Sequence, residues 1–241
     1  AARQPRRLFR MTSPPPQTIT LFIPDLEMGG AERVFVTLSR QFLQLGHDVR
    51  LILARKTGPL LDELDPRVEI IDLDAGPARP AWRFGLRTLW RLSLELRRHP
   101  PEAMLSTLTG ANLVAIAARW LSGQRFPLVV REASSLSNVR GQLRLFAMQL
   151  LYRRADRVIA LTSHMRSQLA SALRLDQRHL EVIGNPLDTE RIECLSLAPE
   201  ELPGITSLQP YVVALGRIVP EKDYATLIRA AAIAHSRRIV I

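Results

Sequence analysis

The sequence predicts an α/β fold in which a parallel sheet is covered by helices on both faces. Short apolar runs rich in β-branched residues alternate with longer stretches of helical periodicity along most of the 241-residue chain, which is the pattern of repeated β–α–β units. The first run, Ile19–Ile23, is apolar except for Thr20. Strands of that composition are buried on both faces, so we expect this strand to be central and to have parallel neighbours.

The first unit reads as a strand, a glycine turn and a helix. Pro24 ends the strand, and the apolar spacing from Phe35 to Leu45 predicts a helix that Gly46 stops. Gly29 and Gly30 are expected to adopt dihedrals and to allow a close approach that side chains would block. Because a helix start presents unpaired N–H groups and a positive dipole end, this turn suits a phosphate or another anion. A turn that only needs small residues is the alternative.

The remaining elements continue the alternation. Pro100 and Pro101 end the longest helix, and Gly123 follows the next one. Predicted strands are 49–54, 68–73, 103–106, 128–131, 157–161, 180–183, 211–215 and 237–241; predicted helical segments are 60–64, 82–98, 111–121, 141–153, 164–173 and one that begins near Tyr224.

Composition divides the chain into four parts. Residues 1–18 form a basic, proline-rich lead-in predicted to be disordered, 19–198 a first domain, 199–210 a linker with Gly204 and three prolines, and 211–241 the start of a second Rossmann-like domain. The last part is shorter than the roughly 50 residues that a domain core needs. We therefore expect the second domain to be incomplete and the chain alone to be inactive.

Composition also limits the compartment. No uncharged apolar run approaches the roughly 18 residues of a membrane span. The arginines before Met11 are not followed by an apolar segment, so no export signal is predicted. The single cysteine, Cys194, excludes an internal disulfide and fits a reducing compartment. The predicted location is cytoplasmic, with peripheral attachment to the inner face of the membrane as an extension of it.

The net charge of +10 favours anionic partners, and 31 of the 33 basic residues are arginine. The predicted helix Trp82–Arg98 concentrates this charge. Between Arg79 and Arg98 there are six arginines and one acidic residue, Glu95.

This helix is predicted to have two different faces. Its apolar stripe is formed by Leu86, Leu89, Ser93 and Leu96, and its basic face by Arg83, Arg87 and Arg91 together with Trp90. A basic face that carries tryptophan is typical of helices at an anionic membrane surface. A helix packed on the sheet with its arginines in solvent is the alternative.

Several short strings carry a family resemblance. They are MGGAER at 28–33, LGHDV at 45–49, GPLLDEL at 58–64, ADRVIA at 155–160, VIGNPLD at 182–188, and Gly216-Arg217 followed by PEK at 220–222. In this order they resemble the family 4 glycosyltransferases of the GT-B fold, and the resemblance covers about Ile19 to the C-terminus. It implies a Rossmann-like acceptor-side domain followed by a second Rossmann-like domain that binds the donor.

The resemblance also implies roles for individual residues. Arg217 and Lys222 match the catalytic cations that hold the diphosphate of a nucleotide-sugar donor, and Gly29 and Gly30 match the glycine loop that faces it. Two fixed cations can stabilise a departing nucleoside diphosphate without a metal. The five histidines show no ligand spacing, so neither a metal site nor a cofactor is predicted beyond the nucleotide-sugar as co-substrate.

Three further polar residues are candidates for the acceptor or the cleft. Asn112 and Glu132 lie just past predicted strand ends, where open parallel sheets bind their ligands. Asn185 precedes Pro186 at the end of another strand and is assigned to the lining of the cleft, with a turn-forming role as the alternative.

The predicted function is transfer of a sugar from a nucleotide-diphosphate sugar to a glycan or lipid-linked acceptor, with the retaining stereochemistry that the resemblance implies. Two alternatives stay open. Because the donor domain looks incomplete, the chain could be a non-catalytic fragment or a sugar-nucleotide-fold binding module. A basic nucleic-acid-binding protein is the third interpretation, but no binding motif is recognisable and aromatic residues are few, so no nucleic-acid partner is expected.

Overall fold

The computed structural model describes residues 15–133, 141–197, 211–216, 218–219, 222–234 and 238–240. The chain divides into two compact units, 1–188 and 189–241. Residues 1–14 of the predicted lead-in 1–18 and the predicted linker 199–210 lie outside the described residues, so these assignments stay predictions. The lead-in is shorter than predicted, because Thr18 already belongs to the first strand.

The first unit alternates strands and helices as the sequence predicts. Its strands are β1 Thr18–Ile23, β2 Asp48–Leu53, β3 Glu69–Asp72, β4 Ala103–Thr107, β5 Leu128–Arg131, β6 Arg157–Ala160 and β7 Leu180–Val182. Its helices are α1 Gly30–Gln44, α2 Ala81–Arg98, α3 Thr109–Ser122, α4 Gln142–Leu151 and α5 Ser163–Leu173, with 3₁₀ turns at Pro59–Glu63, Tyr152–Arg154 and Gln177–His179.

The seven strands form one parallel sheet in the order β3-β2-β1-β4-β5-β6-β7. β1 lies between β2 and β4 and is parallel to both, with Leu21 paired to Leu51 on one side and Leu105 on the other. The prediction of a central, parallel first strand is therefore confirmed. The strand order reverses direction at β1, so the gap beyond the carboxyl ends of β1 and β4 is the switch point where such sheets bind ligands.

Alternation along β1 separates two cores, one on each face of the sheet. Leu21 and Ile23 pack with Val34 and Phe35 of α1. Phe22 points to the opposite face and belongs to the core built by α2, α3, α4 and α5. Because successive strand residues face opposite sides, α1 covers one face and these four helices cover the other.

The buried stripe of α2 is rotated relative to the predicted one. Leu92 and Leu96 are fully buried in the second core, whereas Leu86 is 58% exposed. The stripe at Leu92 and Leu96 is completed by Thr88 and Ser93. Including Leu86 in the buried stripe was wrong because α2 packs sideways against α3 as well as on the sheet, which a helical wheel alone does not show.

The second unit contains α6 Thr189–Ser196, β8 Tyr211–Val213, α7 Tyr224–Ile233 and β9 Arg238–Val240, and β8 pairs in parallel with β9. The start of α7 at Tyr224 confirms the predicted position. The sequence assigned no element to α6. This helix has eight residues, and its two large aliphatic side chains, Ile192 and Leu195, are both exposed, so its apolar pattern is too short to predict a helix.

Candidate active site at the carboxyl edge of the sheet

The β1–α1 turn lies at the carboxyl end of the central strand. Glu27, Met28 and Gly30 are exposed there, and α1 begins at Gly30 without a side-chain hydrogen bond from the preceding residue. The first N–H groups of α1 therefore lie at the switch point of the sheet. This geometry suits an anion at a helix start.

The two glycines do not have the unusual dihedrals that the sequence suggested. Gly29 has φ −118° and ψ 161°, a region open to any residue, and Gly30 is the first helical residue. A Cβ on Gly29 would meet only the Glu32 carboxylate, at 2.2 Å, and a Cβ on Gly30 would meet nothing within 4 Å. The dihedral argument was wrong: Gly30 leaves open space above the helix start, whereas the space beside Gly29 is occupied by the Glu32 carboxylate.

The conformational requirement lies instead at Gly58 in the next loop. Gly58 has φ 114°, and a Cβ there would lie 2.1 Å from the Leu26 carbonyl oxygen. Around this contact the Leu26 N–H donates to Thr57 O at 2.9 Å, and Leu60 N–H donates to Leu26 O at 3.2 Å. Leu26 is itself fully buried, so the loop after β2 fixes the loop that precedes α1.

Two ion pairs reinforce this connection between the loops. Asp25 accepts from the Arg55 guanidinium at 2.8 Å, and Arg33 of α1 pairs with Glu63 of the first 3₁₀ turn. Both pairs join the β1–α1 segment to the segment that follows β2. The β1–α1 turn, the candidate anion site, is thus fixed to the loop after β2 by hydrogen bonds, close backbone packing and two ion pairs.

Beyond β4 and β5, a buried polar cluster surrounds Glu132. Its carboxylate accepts from Thr109 Oγ1 at 3.0 Å, from Asn112 Nδ2 at 3.1 Å and from the Tyr152 hydroxyl. Glu132 is 1% exposed, and Asn112 and Tyr152 are fully buried. The structure therefore brings the predicted residues Glu132 and Asn112 together, but their polar groups face each other inside the domain. A contact of either residue with an acceptor stays a prediction.

Burial controls the protonation of this cluster. It raises the pKa of the Glu132 carboxyl, against the lowering effect of the hydrogen bonds from Tyr152, Thr109 and Asn112. Burial likewise raises the pKa of the Tyr152 phenol, and the neighbouring Glu132 charge adds to that shift. The Glu132 carboxyl, near the N-terminus of α3, is thus protonated at a higher pH than the carboxyl of an exposed glutamate would be.

Arg131 connects this cluster to Asn185, the third predicted cleft residue. Arg131 is 4% exposed, and its guanidinium donates to Thr107 Oγ1 at 2.8 Å and to the Asn185 side-chain oxygen. Burial lowers the pKa of Arg131, and the nearby Glu132 charge opposes this. Asn185 is exposed, so it forms the outer end of a chain of polar contacts that begins in the core.

In the second unit, Lys222 is exposed and lies directly before α7. Gly216 has φ 148°, and its carbonyl accepts from the Tyr224 hydroxyl at 3.0 Å; a Cβ at Gly216 would lie 3.2 Å from Lys222 Cε. Asp223 caps α7 by accepting from Thr226 N–H. Arg217 lies outside the described residues, so its role beside Lys222 stays a prediction.

Sequence reasoning missed three contributors to these sites. Arg131 carried a signal, since it is a charge directly after the apolar residues of β5. Gly58 stood out only as the first residue of GPLLDEL, one of the strings that carry the family resemblance. Tyr152 gave no signal, because its hydroxyl reaches Glu132 only when α4 packs beside α3.

The described residues show neither a metal-binding cluster nor a membrane-spanning helix. No group of three His, Cys, Asp or Glu side chains there is arranged to hold a metal ion. No helix in the same part of the chain is long and apolar enough to cross a bilayer.

Known proteins resemble this chain in sequence and in fold. It is 26% identical over 227 residues to the N-acetylgalactosamine-N,N'-diacetylbacillosaminyl-diphospho-undecaprenol 4-alpha-N-acetylgalactosaminyltransferase of Campylobacter jejuni, a match covering 90% of this chain and 59% of that protein. HepE from Anabaena, solved in complex with UDP and glucose, superposes with a TM-score of 0.66 at 18% identity, covering 90% of this chain and 58% of HepE. Sucrose-phosphate synthase from Thermosynechococcus elongatus gives a TM-score of 0.69 at 18% identity, covering 92% and 61%.

These matches define the family and the fold. The chain spans 59% of the length of the curated relative, and at 18% identity the structural likeness concerns the fold, which is the Rossmann-like fold of GT-B glycosyltransferases. The model of Glycosyltransferase Family 4 matches residues 28–191, from the exposed turn before α1 into α6. Because this match covers more than half of the chain, the protein belongs to glycosyltransferase family 4.

Proposed function

We propose that this chain forms the acceptor-side domain and the start of the donor-side domain of a glycosyltransferase. The enzyme transfers a sugar from a nucleotide-diphosphate sugar to a lipid-linked or polysaccharide acceptor. The observation that carries the proposal is the exposed turn before α1 at the switch point of the sheet, inside the segment that the family model matches. That turn presents a helix start to an anion.

The chemistry needs positive charge where the diphosphate departs. Breaking the bond between sugar and phosphate leaves negative charge on the nucleoside diphosphate, and fixed donors aimed at that charge favour the transition state over the bound donor. Lys222 and Arg217 would supply this charge in the second unit, and the N–H groups at Gly30 are a candidate for binding an anion in the first unit. No metal or other cofactor is part of the proposal, and retention of configuration follows from the family resemblance.

The acceptor proposal rests on the curated relative. The name of that relative describes a substrate attached to diphospho-undecaprenol, which supports a lipid-linked acceptor here. An acceptor of that kind would place the enzyme at the inner face of a membrane. The predicted basic side chains of α2, Arg83, Arg87 and Arg91, are exposed beside Trp90, so α2 is compatible with attachment to an anionic surface.

The chain offers a matched pair of lysines for the test, because Lys56 and Lys222 are its only two and both are exposed. Sugar transfer is measured on the full-length gene product with a panel of nucleotide-sugars and a lipid-linked acceptor. We expect Lys222→Ala to lower turnover by roughly 100- to 1000-fold, with partial recovery in Lys222→Arg because a forked guanidinium does not reproduce a point charge. Lys56→Ala serves as the control and should retain the parent rate.

Two outcomes would contradict this assignment. If Lys222→Ala stays within about threefold of the parent at saturating donor, Lys222 does not stabilise the departing group. If the parent binds a nucleotide-sugar in calorimetry but transfers it to no acceptor, the binding-module interpretation replaces the enzymatic one.

A further inference from the structure

All three tryptophans of the chain lie on one face of the first unit and point into solvent. Trp82 and Trp90 of α2 are 63% and 66% exposed, and Trp120 of α3 is 71% exposed. Large aromatic side chains are mostly buried in folded domains. Exposure of about two-thirds of each tryptophan indicates a surface that is covered in the working protein.

Neighbouring helix α4 extends the same apolar surface. Leu143, Phe146 and Leu150 are 82%, 62% and 52% exposed. A pocket of about 320 Å³ joins the three helices, with lining residues from each: Leu89 of α2, Ala117, Trp120 and Leu121 of α3, and Leu150 and Leu151 of α4. The exposed side chains therefore belong to one surface, the outer side of α2, α3 and α4, which we call the three-helix face.

The three-helix face is strongly basic. Its helices and the 3₁₀ turn after α4 contain nine arginines and one acidic residue, Glu95. On the opposite face of the sheet, α1 and the first 3₁₀ turn contain two arginines and three acidic residues. The charge of the first unit is thus concentrated on the side that also exposes the tryptophans.

The two kinds of side chain are interleaved. The Arg83 guanidinium lies 5.2 Å from the centre of the Trp82 ring, within cation–π distance. Arg87 follows one turn later beside the exposed Leu86. Two other arginines have acidic partners, since Arg91 contacts Asp74 and Arg119 contacts Asp156. Arg83 and Arg87 are therefore the better pair to vary.

We propose that the three-helix face docks on an anionic lipid bilayer. Tryptophan is enriched at membrane–water interfaces, and arginine on the same surface binds anionic headgroups. Self-association through this face would bring two strongly basic surfaces together, which like-charge repulsion opposes. The biological purpose, access to a lipid-linked acceptor, rests on the proposed function, but the binding itself does not require catalysis.

The tryptophans make the proposal directly measurable, because no other tryptophan contributes to the signal. The purified chain is titrated with vesicles of phosphatidylglycerol and phosphatidylcholine in equal amounts, and with vesicles of phosphatidylcholine alone. We expect a blue shift of the fluorescence and quenching by brominated acyl chains with the first vesicles only. Flotation of the same mixtures gives the partition coefficient.

Charge-matched variants separate this face from general basicity. The double variant Arg83→Gln/Arg87→Gln should partition about 30-fold more weakly, since each charge near the surface contributes on the order of 1 kcal/mol. Lys56→Gln/Arg178→Gln removes two exposed charges that lie outside the three helices and should partition like the parent. Trp90→Ala should weaken partitioning, whereas Leu45→Ala, which removes an apolar side chain that is 61% exposed just after α1, should not.

Three results would overturn the proposal. These are equal partitioning of the two double variants, absence of quenching by brominated lipid, and a lipid-independent blue shift that grows with protein concentration. The last result would assign the face to contact between copies of the chain. Loss of sugar transfer with intact vesicle binding would count against the proposed function and leave the docking face in place.

Discussion

Replacing Gly58 by alanine should destabilise the first unit through a backbone collision. The added Cβ would lie 2.1 Å from Leu26 O, 2.2 Å from Leu26 C and 2.5 Å from Glu27 N. These are backbone atoms of a buried loop, so no side chain can rotate away to make room. The two loops that form the candidate anion turn would have to separate.

The magnitude has two parts. A side chain at φ 114° occupies a region that is nearly exclusive to glycine, which costs about 1–3 kcal/mol. Forcing an extra methyl group into packed surroundings typically costs another 1–3 kcal/mol. We therefore expect a loss of about 2–6 kcal/mol, a large part of the 5–15 kcal/mol that is typical for a whole domain.

Gly46→Ala is the matched control. Gly46 also has a positive φ, 87°, but a Cβ there would meet nothing within 4 Å. Its substitution should cost only the conformational term, about 1–2 kcal/mol. The difference between the two variants therefore contains the collision with Leu26 together with the difference between the two conformational terms.

Urea unfolding followed by far-ultraviolet circular dichroism gives both free energies, with the slope of the transition checked for constancy. Tryptophan fluorescence is a poor probe here because all three indoles are already exposed. If Gly58→Ala is no more destabilising than Gly46→Ala, the close packing of Gly58 on Leu26 does not hold the turn.

Three further predictions concern the switch point and the cores. Glu132→Gln should gain stability relative to the parent as the pH rises above 4.5, the ordinary pKa of a glutamate, because burial raises the pKa of this carboxyl. The parent then loses the stability that the Glu132 proton provides as the pH rises through the folded-state pKa. A pH-independent difference in unfolding free energy between the two proteins would refute this. Gly30→Ala should leave stability equal or higher, since the new methyl group meets nothing within 4 Å and alanine favours a helix by up to about 1 kcal/mol. The same substitution should weaken nucleotide-sugar binding in the full-length protein. Unchanged calorimetric affinity would show that the donor does not approach this backbone. Leu92→Ala should lower the unfolding free energy by about 2–5 kcal/mol because Leu92 is buried. Leu86→Ala should change it by no more than about 0.5 kcal/mol because Leu86 is exposed. Similar urea midpoints for the two variants would contradict the rotated stripe of α2.

The sequence by itself determined the order and type of most elements in the first unit. The apolar run of β1 predicted a strand buried on both faces, and the structure places it between two parallel neighbours. Periodicity is a local property, because a strand or helix must turn its apolar side chains toward a core whatever that core contains. It failed for α6, because eight residues with Ile192 and Leu195 as the two large aliphatic side chains give too short a pattern.

Only the tertiary structure decided which side chains meet. Glu132 and Tyr152 are 20 residues apart, and their hydrogen bond exists because α4 packs beside α3. The collision that makes Gly58 necessary involves a loop 32 residues earlier in the chain. Likewise, the sequence placed Trp90 on a basic helix, but the packing of three helices brought Trp120 to the same surface. Such pairings depend on how elements dock, and docking is set by the shapes of both partners, which no single segment of sequence contains.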